Sequence, residues 1–311
     1  MGYASLQDCV RDLEAAGDLL RVDAPVDPHL ELAAIQRRAF RAGAPALLFT
    51  RVSGTAFPVL VNLFGTKKRL HFLFRDGLAA TEAVLAGKAD PMTLLRRPRK
   101  SVTALGGLGR MLPRRVSRRH APVLARQGSL KALPPLVSWP QDGGPFITLP
   151  HVYSEDPARP GVNASNLGMY RIQLGGNDYA DDEVGLHYQI HRGIGVHHAH
   201  ALALGSPLPV RIHVGGPPAL AVAAVMPLPE GLSELRFAGL IGARRVRLAP
   251  GDDGVGLPVL AETDFCISGH VLSETRPEGP FGDHVGYYSL AHHFPALRVA
   301  SVTHRPGAIW P

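Results

Sequence analysis

Apolar residues open the chain at helical spacing: Leu6, Val10 and Leu13 fall on one face. Ser5 stands ahead of them as a cap, Asp8 follows in a capping-box-like arrangement, and Gly17 is a natural stop. Residues 19–22 read as a short strand. Asp27 and Pro28 provide a cap and a first-turn proline for a second helix through about Arg41. Leu30, Ala33, Ala34 and Phe40 lie on its apolar side, and Gly43 ends it. Residues 46–50 and 58–63 read as buried strands, and 76–96 as helical. This alternation predicts an N-terminal α/β domain.

The texture changes at residue 146. Strand candidates follow at 147–152, 169–174, 186–190, 209–214, 246–249, 259–268 and 297–303. They are short and punctuated by Gly and Pro, which suggests a β-barrel or sandwich. Two helices interrupt them, near 194–204 and 217–224, and no internal repeat is visible. The expected fold class is therefore α+β. Residues 1–120 form an α/β domain with a basic linker, and residues 121–311 form the β domain.

Charge sharpens the boundary. The 311 residues carry a net charge of +7, and residues 91–141 hold eleven Arg and Lys with no Asp or Glu. Arg96, Arg97, Arg99 and Lys100 are followed by Arg110, Arg114, Arg115, Arg118 and Arg119. Such a run could meet nucleic acid or an anionic membrane surface. No Phe, Tyr or Trp lies between Phe74 and Trp139, so base-stacking platforms are missing. A solvated basic linker, or a contact to an acidic partner, is the favoured reading. With 45% hydrophobic residues the chain can bury a sizeable core. Two cysteines, Cys9 and Cys266, give no disulfide framework and fit a reducing cytoplasm. The first sixteen residues lack a signal-peptide pattern, and no apolar run is long enough to span a membrane.

Candidate chemistry centres on residues 276–288. Glu278 and Asp283 stand five apart in a run broken by Pro277, Pro280, Gly279, Gly282 and Gly286. Proline excludes a helix there and argues against a regular central strand. A constrained loop can fix two carboxylates in a pocket wall as one acid and one base. The plainer alternative is a surface turn with solvated acids. Met169 and Arg171 would share a face on a strand, and an arginine in a pocket suits a carboxylate. A strand arginine paired with a surface acid is the competing account. His187 and His191 could chelate a metal on a helix, but Gly193 and Gly195 break one there. His197, His198 and His200 read as packing or surface groups. Ser233 opens a short helix with Glu234 in its first turn, favoured by the helix dipole or available as a hard oxygen ligand. Dinucleotide, P-loop and nucleophile-elbow motifs are absent from the sequence.

Several stretches then occur in one order: Asn166-Leu167-Gly168-Met169-Tyr170-Arg171, His191-Arg192-Gly193, Met226-Pro227, Ser233-Glu234, Phe237-Ala238-Gly239 and Pro277-Glu278-Gly279-Pro280-Phe281-Gly282-Asp283-His284. Together they resemble the UbiD family of prenylated-flavin decarboxylases. The resemblance implies that residues 121–311 form a split β-barrel of flavin-reductase type holding prenylated FMN, with Mn²⁺ and often K⁺ at the cofactor phosphate. It implies Asn166, His191 and Glu234 as Mn²⁺ ligands. Met169, Tyr170, Arg171, His187, Tyr188, Gln189, Arg192, Gly193, Met226 and Pro227 fall where the family contacts its cofactor. Arg171, Glu278 and Asp283 match its catalytic network. Arg171 would hold the substrate carboxylate, Glu278 would orient it, and Asp283 would protonate the vacated carbon. That donor needs a raised pKa, from burial or a neighbouring carboxylate. Aspartate at position 283 resembles the branch acting on 3-polyprenyl-4-hydroxybenzoate in ubiquinone synthesis. The family continues into a C-terminal domain where this sequence stops. The expected partners are an aromatic or unsaturated acid, a flavin prenyltransferase supplying cofactor, and either a second copy or a separate C-terminal-domain chain. The alternative reading is a non-catalytic or split-enzyme subunit that binds flavin phosphate.

Overall fold

Helix α1 (Leu6–Ala15) starts where its cap predicts: Asp8 N–H donates to Ser5 Oγ at 3.1 Å, and Leu6, Cys9, Val10 and Leu13 are buried. The computed structural model describes residues 2–90, 92, 98–191, 193–228 and 232–311. Arg96, Arg97 and Arg192 lie outside the described residues, as do residues 91 and 93–95 of the expected 76–96 helix. Strand β1 (Leu19–Val22) pairs parallel with β2 (Ala46–Phe49), which pairs antiparallel with β3 (Val59–Val61). Helix α2 (Glu31–Arg41) begins later than expected. Asp27 does not cap it; its Oδ1 accepts from His29 N–H at 2.8 Å, and the Glu31 carboxylate accepts from Asp27 N–H at 2.8 Å. The Asp-Pro pair thus closes a turn ahead of the helix. Helix α3 (Lys67–Phe74), capped by Thr66, adds an element that the sequence pattern does not announce.

Helices α4 (Leu78–Ala89) and α5 (Pro98–Arg110) correct the picture of a solvated basic linker. Helix α5 packs on α4. Gly107 makes this possible: a Cβ there would stand 2.8 Å from Leu240 Cδ1 and 3.1 Å from Ala80 Cβ. The basic run continues as β4 (Arg114–Arg115), parallel to β12 (Arg247–Pro250), which also pairs β13 (Pro258–Leu260).

Among the described residues, nine strands form the main sheet. Its order is β6 (Phe146–Ile147), β9 (Ile172–Gln173), β10 (Glu183–Leu186), β17 (His292–His304), β14 (Phe265–Glu278), β11 (Leu208–Val214), β7 (Pro150–Glu155) and β8 (Ser165–Gly168). Strand β5 (Arg126–Gln127) pairs beside β17, and β15 (Phe281–Gly282) with β16 (Tyr288–Ser289) forms a separate hairpin. Several strand expectations change. The 147–152 run splits into β6 and β7, and the 259–268 run into β13 and β14. The 169–174 run breaks, leaving Met169, Tyr170 and Arg171 between β8 and β9. The 186–190 run ends at Leu186. Conversely, Arg276, Pro277 and Glu278 continue β14. Proline is tolerated there because pairing with β11 ends at Val271, and only β17 runs alongside Pro277.

One sheet face carries Val152, Ile212, Ile267 and Val302; the other buries His151, Arg211, His213, Cys266 and Ser268. Arg211 is satisfied by a two-toothed contact to Asp253 at 2.7 and 2.8 Å. Helices α6 (Ile194–Ala203), α7 (Pro218–Val225) and α8 (Glu234–Ile241) complete the fold, and α8 contacts α4, α5 and α7. One apolar cluster joins Leu6 and Leu13 to Leu235, Phe237 and Leu260, so the core runs on past residue 120. Among the described residues no helix is long and apolar enough to cross a membrane.

Candidate active site

The end of β14 delivers Glu278 to Arg171. The Arg171 guanidinium donates from Nε to Oε1 at 2.8 Å and from Nη2 to Oε2 at 2.7 Å, a bidentate pair. His187 Nδ1 approaches the same Oε2 at 3.1 Å. The Glu278 side chain is 0% exposed and that of Arg171 14%. Burial pushes the Glu278 carboxyl up, but Arg171 and then His187 outweigh it and hold the group below the ordinary carboxylate range. Glu278 is therefore an ionised carboxylate. Phe281 lies 4.5 Å beneath the Arg171 guanidinium, and Phe294 flanks the His187 ring at 4.1 Å.

The loop after Glu278 is pinned from outside. Gly279 N–H donates to Gln173 Oε1 at 2.8 Å, Asn177 Nδ2 to the Gly279 carbonyl at 2.8 Å, and Gly282 N–H to Asp142 Oδ1 at 2.8 Å. Asp283 follows, turned by its N–H donating to the Tyr287 carbonyl at 2.9 Å. The expectation that burial or a second carboxylate surrounds Asp283 fails: its side chain is 38% exposed and pairs with His284. Arg171 and Asp283 nevertheless line one cleft, together with Met169, Trp139, Phe281 and Arg37 of α2. Trp139 and Arg37, stacked at 4.3 Å, escape a reading of the sequence. Nothing local marks them, since they come from the distant N-terminal half.

A second polar group surrounds Asn166. Its Oδ1 accepts from Tyr170 Oη at 3.4 Å, while its Nδ2 is buried without a partner. Gly193, at φ +48°, sits against it: a Cβ there would stand 2.2 Å from Asn166 Oδ1 and 2.6 Å from Tyr170 Oη. Glu234 opens α8, and burial pushes its carboxyl up despite backbone N–H groups of Glu234 and Leu167. Tyr170 is also raised by burial, and the Glu234 charge adds to this. The Asn166 Oδ1 and the desolvated Glu234 carboxyl are oxygen donors of the kind that suits a hard divalent cation, whereas the unpartnered Asn166 Nδ2 is a hydrogen-bond donor and would not ligate one. His191 is exposed on a turn. Among the described residues no three His, Cys, Asp or Glu side chains converge as a metal centre.

The remaining candidates divide. Met169 N–H donates to the Ala224 carbonyl at 3.0 Å, which brings the 169–171 stretch to the end of α7, where Met226 and Pro227 are exposed. Tyr188 is buried and bonds His198, while Gln189 is exposed. Arg192 is outside the described residues. His197 and His200 anchor α6, bonding Ser154 at 2.9 Å and Asp156 at 2.8 Å.

Known proteins share this fold. Residues 114–311 match the UbiD 3-octaprenyl-4-hydroxybenzoate carboxy-lyase Rift-related domain, and residues 10–86 match the corresponding N-terminal domain. A 4-hydroxybenzoate decarboxylase subunit from Chlamydia pneumoniae is 41% identical over 297 residues, covering 94% of this chain and 49% of that protein. An uncharacterized Chlamydia trachomatis protein is 38% identical over 310 residues, 99% of this chain and 52% of its own length. An evolved dimeric form of the UbiD-class enzyme HmfF from Pelotomaculum thermopropionicum, solved with prFMN, superposes with TM-score 0.82 at 29% identity, covering 99% of this chain and 67% of that one. The closed form of Sedimentibacter hydroxybenzoicus vanillic acid decarboxylase gives 0.84 at 25%, covering 100% and 64%. The chain spans about half the length of the curated relatives it matches. The buried Arg171–Glu278 pair therefore sits in a mixed α+β framework whose two parts match in order, and the chain belongs to the UbiD family of carboxy-lyases.

Proposed function

We propose that this chain forms the cofactor-binding part of a prenylated-FMN decarboxylase. It would release CO₂, reversibly and without oxidation, from an aromatic or α,β-unsaturated acid, with 3-polyprenyl-4-hydroxybenzoate one candidate. The carrying observation is the bidentate, buried Arg171–Glu278 pair beside the Asp283 cleft. Bound prenylated FMN would supply the dipole that adds to the conjugated acid. The nine-stranded sheet is then read as the family's split barrel, and the cleft beside Met169 and Arg171 as the place for the ring.

The chain's own groups do the rest. Arg171 holds a carboxylate, and Glu278 fixes the plane of its guanidinium so that little entropy is lost when the acid docks. His187 steadies Glu278 from the other side. Asn166 and Glu234 would hold Mn²⁺, with His191 as a third ligand. Asp283 delivers a proton to the vacated carbon. Its exposure lets it recharge from solvent, and closure by a further domain or chain would supply the missing burial. A substrate with hydrophobic bulk beyond its ring would lie along Phe281 and Trp139.

Co-expression with a flavin prenyltransferase tests this. We expect protein carrying prenylated FMN by absorbance and mass, and CO₂ release from an aromatic acid that falls by about 100-fold in Glu278→Gln. A colourless, cofactor-free protein would sink the reading. Cofactor bound without turnover, restored by adding a C-terminal-domain chain, would identify the split-enzyme form.

A further inference from the structure

Six arginines from four separate parts of the chain converge on one cleft. They are Arg11 of α1, Arg118 and Arg119 after β4, Arg244 and Arg247 at the entry to β12, and Arg305 after β17. This cleft shares no lining residue with the Arg171–Asp283 cleft. Its lining holds two carboxylates, Asp8 and Glu262. Asp8 takes Arg11, Glu262 takes Arg244 and Arg247, and Arg118 turns to Asp252. Among the described residues Arg119 and Arg305 have no ion pair. Two nitrogens of Arg305, Nε and Nη1, are buried without a hydrogen-bond partner. Asp264 lies near enough to feel the Arg305 charge. Its two oxygens are already occupied, by Gln7 Nε2 and Ile309 N–H on one and Gly216 N–H on the other.

Like charges gathered from distant parts of a chain cost free energy unless an anion balances them. The surplus here exceeds one negative charge, so a dianion fits better than a carboxylate. Guanidinium forks match phosphate oxygens in pairs. No Phe, Tyr or Trp lines the cleft, so a nucleic-acid strand would find no stacking platform.

We propose that this cleft binds a phosphorylated small molecule through its phosphate group. The inference does not rest on the decarboxylase reading, and its readout is binding. Calorimetry of the purified chain with pyrophosphate is the test, at low salt and at about 0.3 M salt. We expect saturable binding with a Kd of about 0.1 mM, weakened about fivefold in Arg119→Gln and about tenfold in Arg305→Gln. Arg159→Gln, exposed and outside the cleft, should leave affinity within about twofold of the parent. Arg119 is exposed, so its variant decides the outcome if Arg305→Gln fails to fold. No saturable heat up to about 5 mM pyrophosphate would overturn the proposal. Equal weakening by Arg159→Gln would also overturn it, as would tighter retention of single-stranded DNA or anionic vesicles lost in the same variants.

Discussion

Glu278 illustrates how far a single residue can be read. Its position in a proline- and glycine-broken run offers a rigid acid; its partner Arg171, 107 residues away, cannot be derived from spacing. With Glu278 fully buried, replacement by Gln strands a nearly desolvated guanidinium, and we expect a loss of about 3 kcal/mol in urea unfolding. The pH sign follows from the depressed folded-state pKa, below its ordinary 4.5. The stabilisation is full above the unfolded value and is lost as pH falls through the folded one. The gap between parent and Glu278→Gln should therefore narrow in acid; a gap that stays constant well below pH 4.5 would contradict this. His151 shows the opposite economy. Both ring nitrogens are buried without partners, and burial pushes its pKa down to about 3, so it is a neutral ring on the sheet face that also buries His213 and Arg211. We expect His151→Leu to gain about 1 kcal/mol. Destabilisation instead would reveal a bound partner for the ring.

At the scale of elements, the Ser5 cap and periodicity are legible, while the Asp27 and Thr66 positions and the junctions are not. Ser5 marks α1, and α6 and α7 fall within a residue or two of their expected bounds, because those signals sit within a few residues of each other. Helix α5 is hidden by its charge and its glycines. A sequence rich in Arg and Gly reads as solvated, yet Ala104 and Gly107 let the helix lie close on its neighbours. Gly107→Val should force α5 away from Ala80 and Leu240 and cost about 2 kcal/mol by chemical denaturation, with helix content largely kept. A neutral outcome would mean that α5 is not tightly seated. Pro277 misleads in the other direction. It argues against a central strand, and β14 accommodates it only where its second neighbour has ended.

For the whole molecule, Asp264 is a clasp. Its carboxylate takes donors from Gln7 of α1, from Gly216 after β11 and from Ile309 near the last residue, tying together both ends and the middle of the chain. Burial pushes its pKa up to about 6 from 3.8. A carboxyl raised on folding contributes stability that is complete below the unfolded value and is lost as pH rises through the folded one. Between about pH 4 and 6 the parent should lose about 3 kcal/mol relative to Asp264→Asn. The comparison with the variant is needed because the buried His151 and His213, both depressed, act in the opposite sense over that window. A parent-minus-variant difference flat from pH 4 to 6 would remove Asp264 from this role.

The sequence by itself determined the Ser5-capped first helix, the mixed α+β character, the ordered run of motifs and the proline- and glycine-broken turn between Glu278 and Asp283. These depend on residues within a few positions of one another, or on motif order, and neither needs a partner in space. Only the tertiary structure decided that Arg171 and His187 meet Glu278, that Tyr170 and Gly193 close on Asn166, and that Asp283 faces a cleft shared with Arg37 and Trp139. Each of these depends on sheet register and on how distant elements stack. A one-residue slip would turn those side chains to the other face, so no local pattern can specify them.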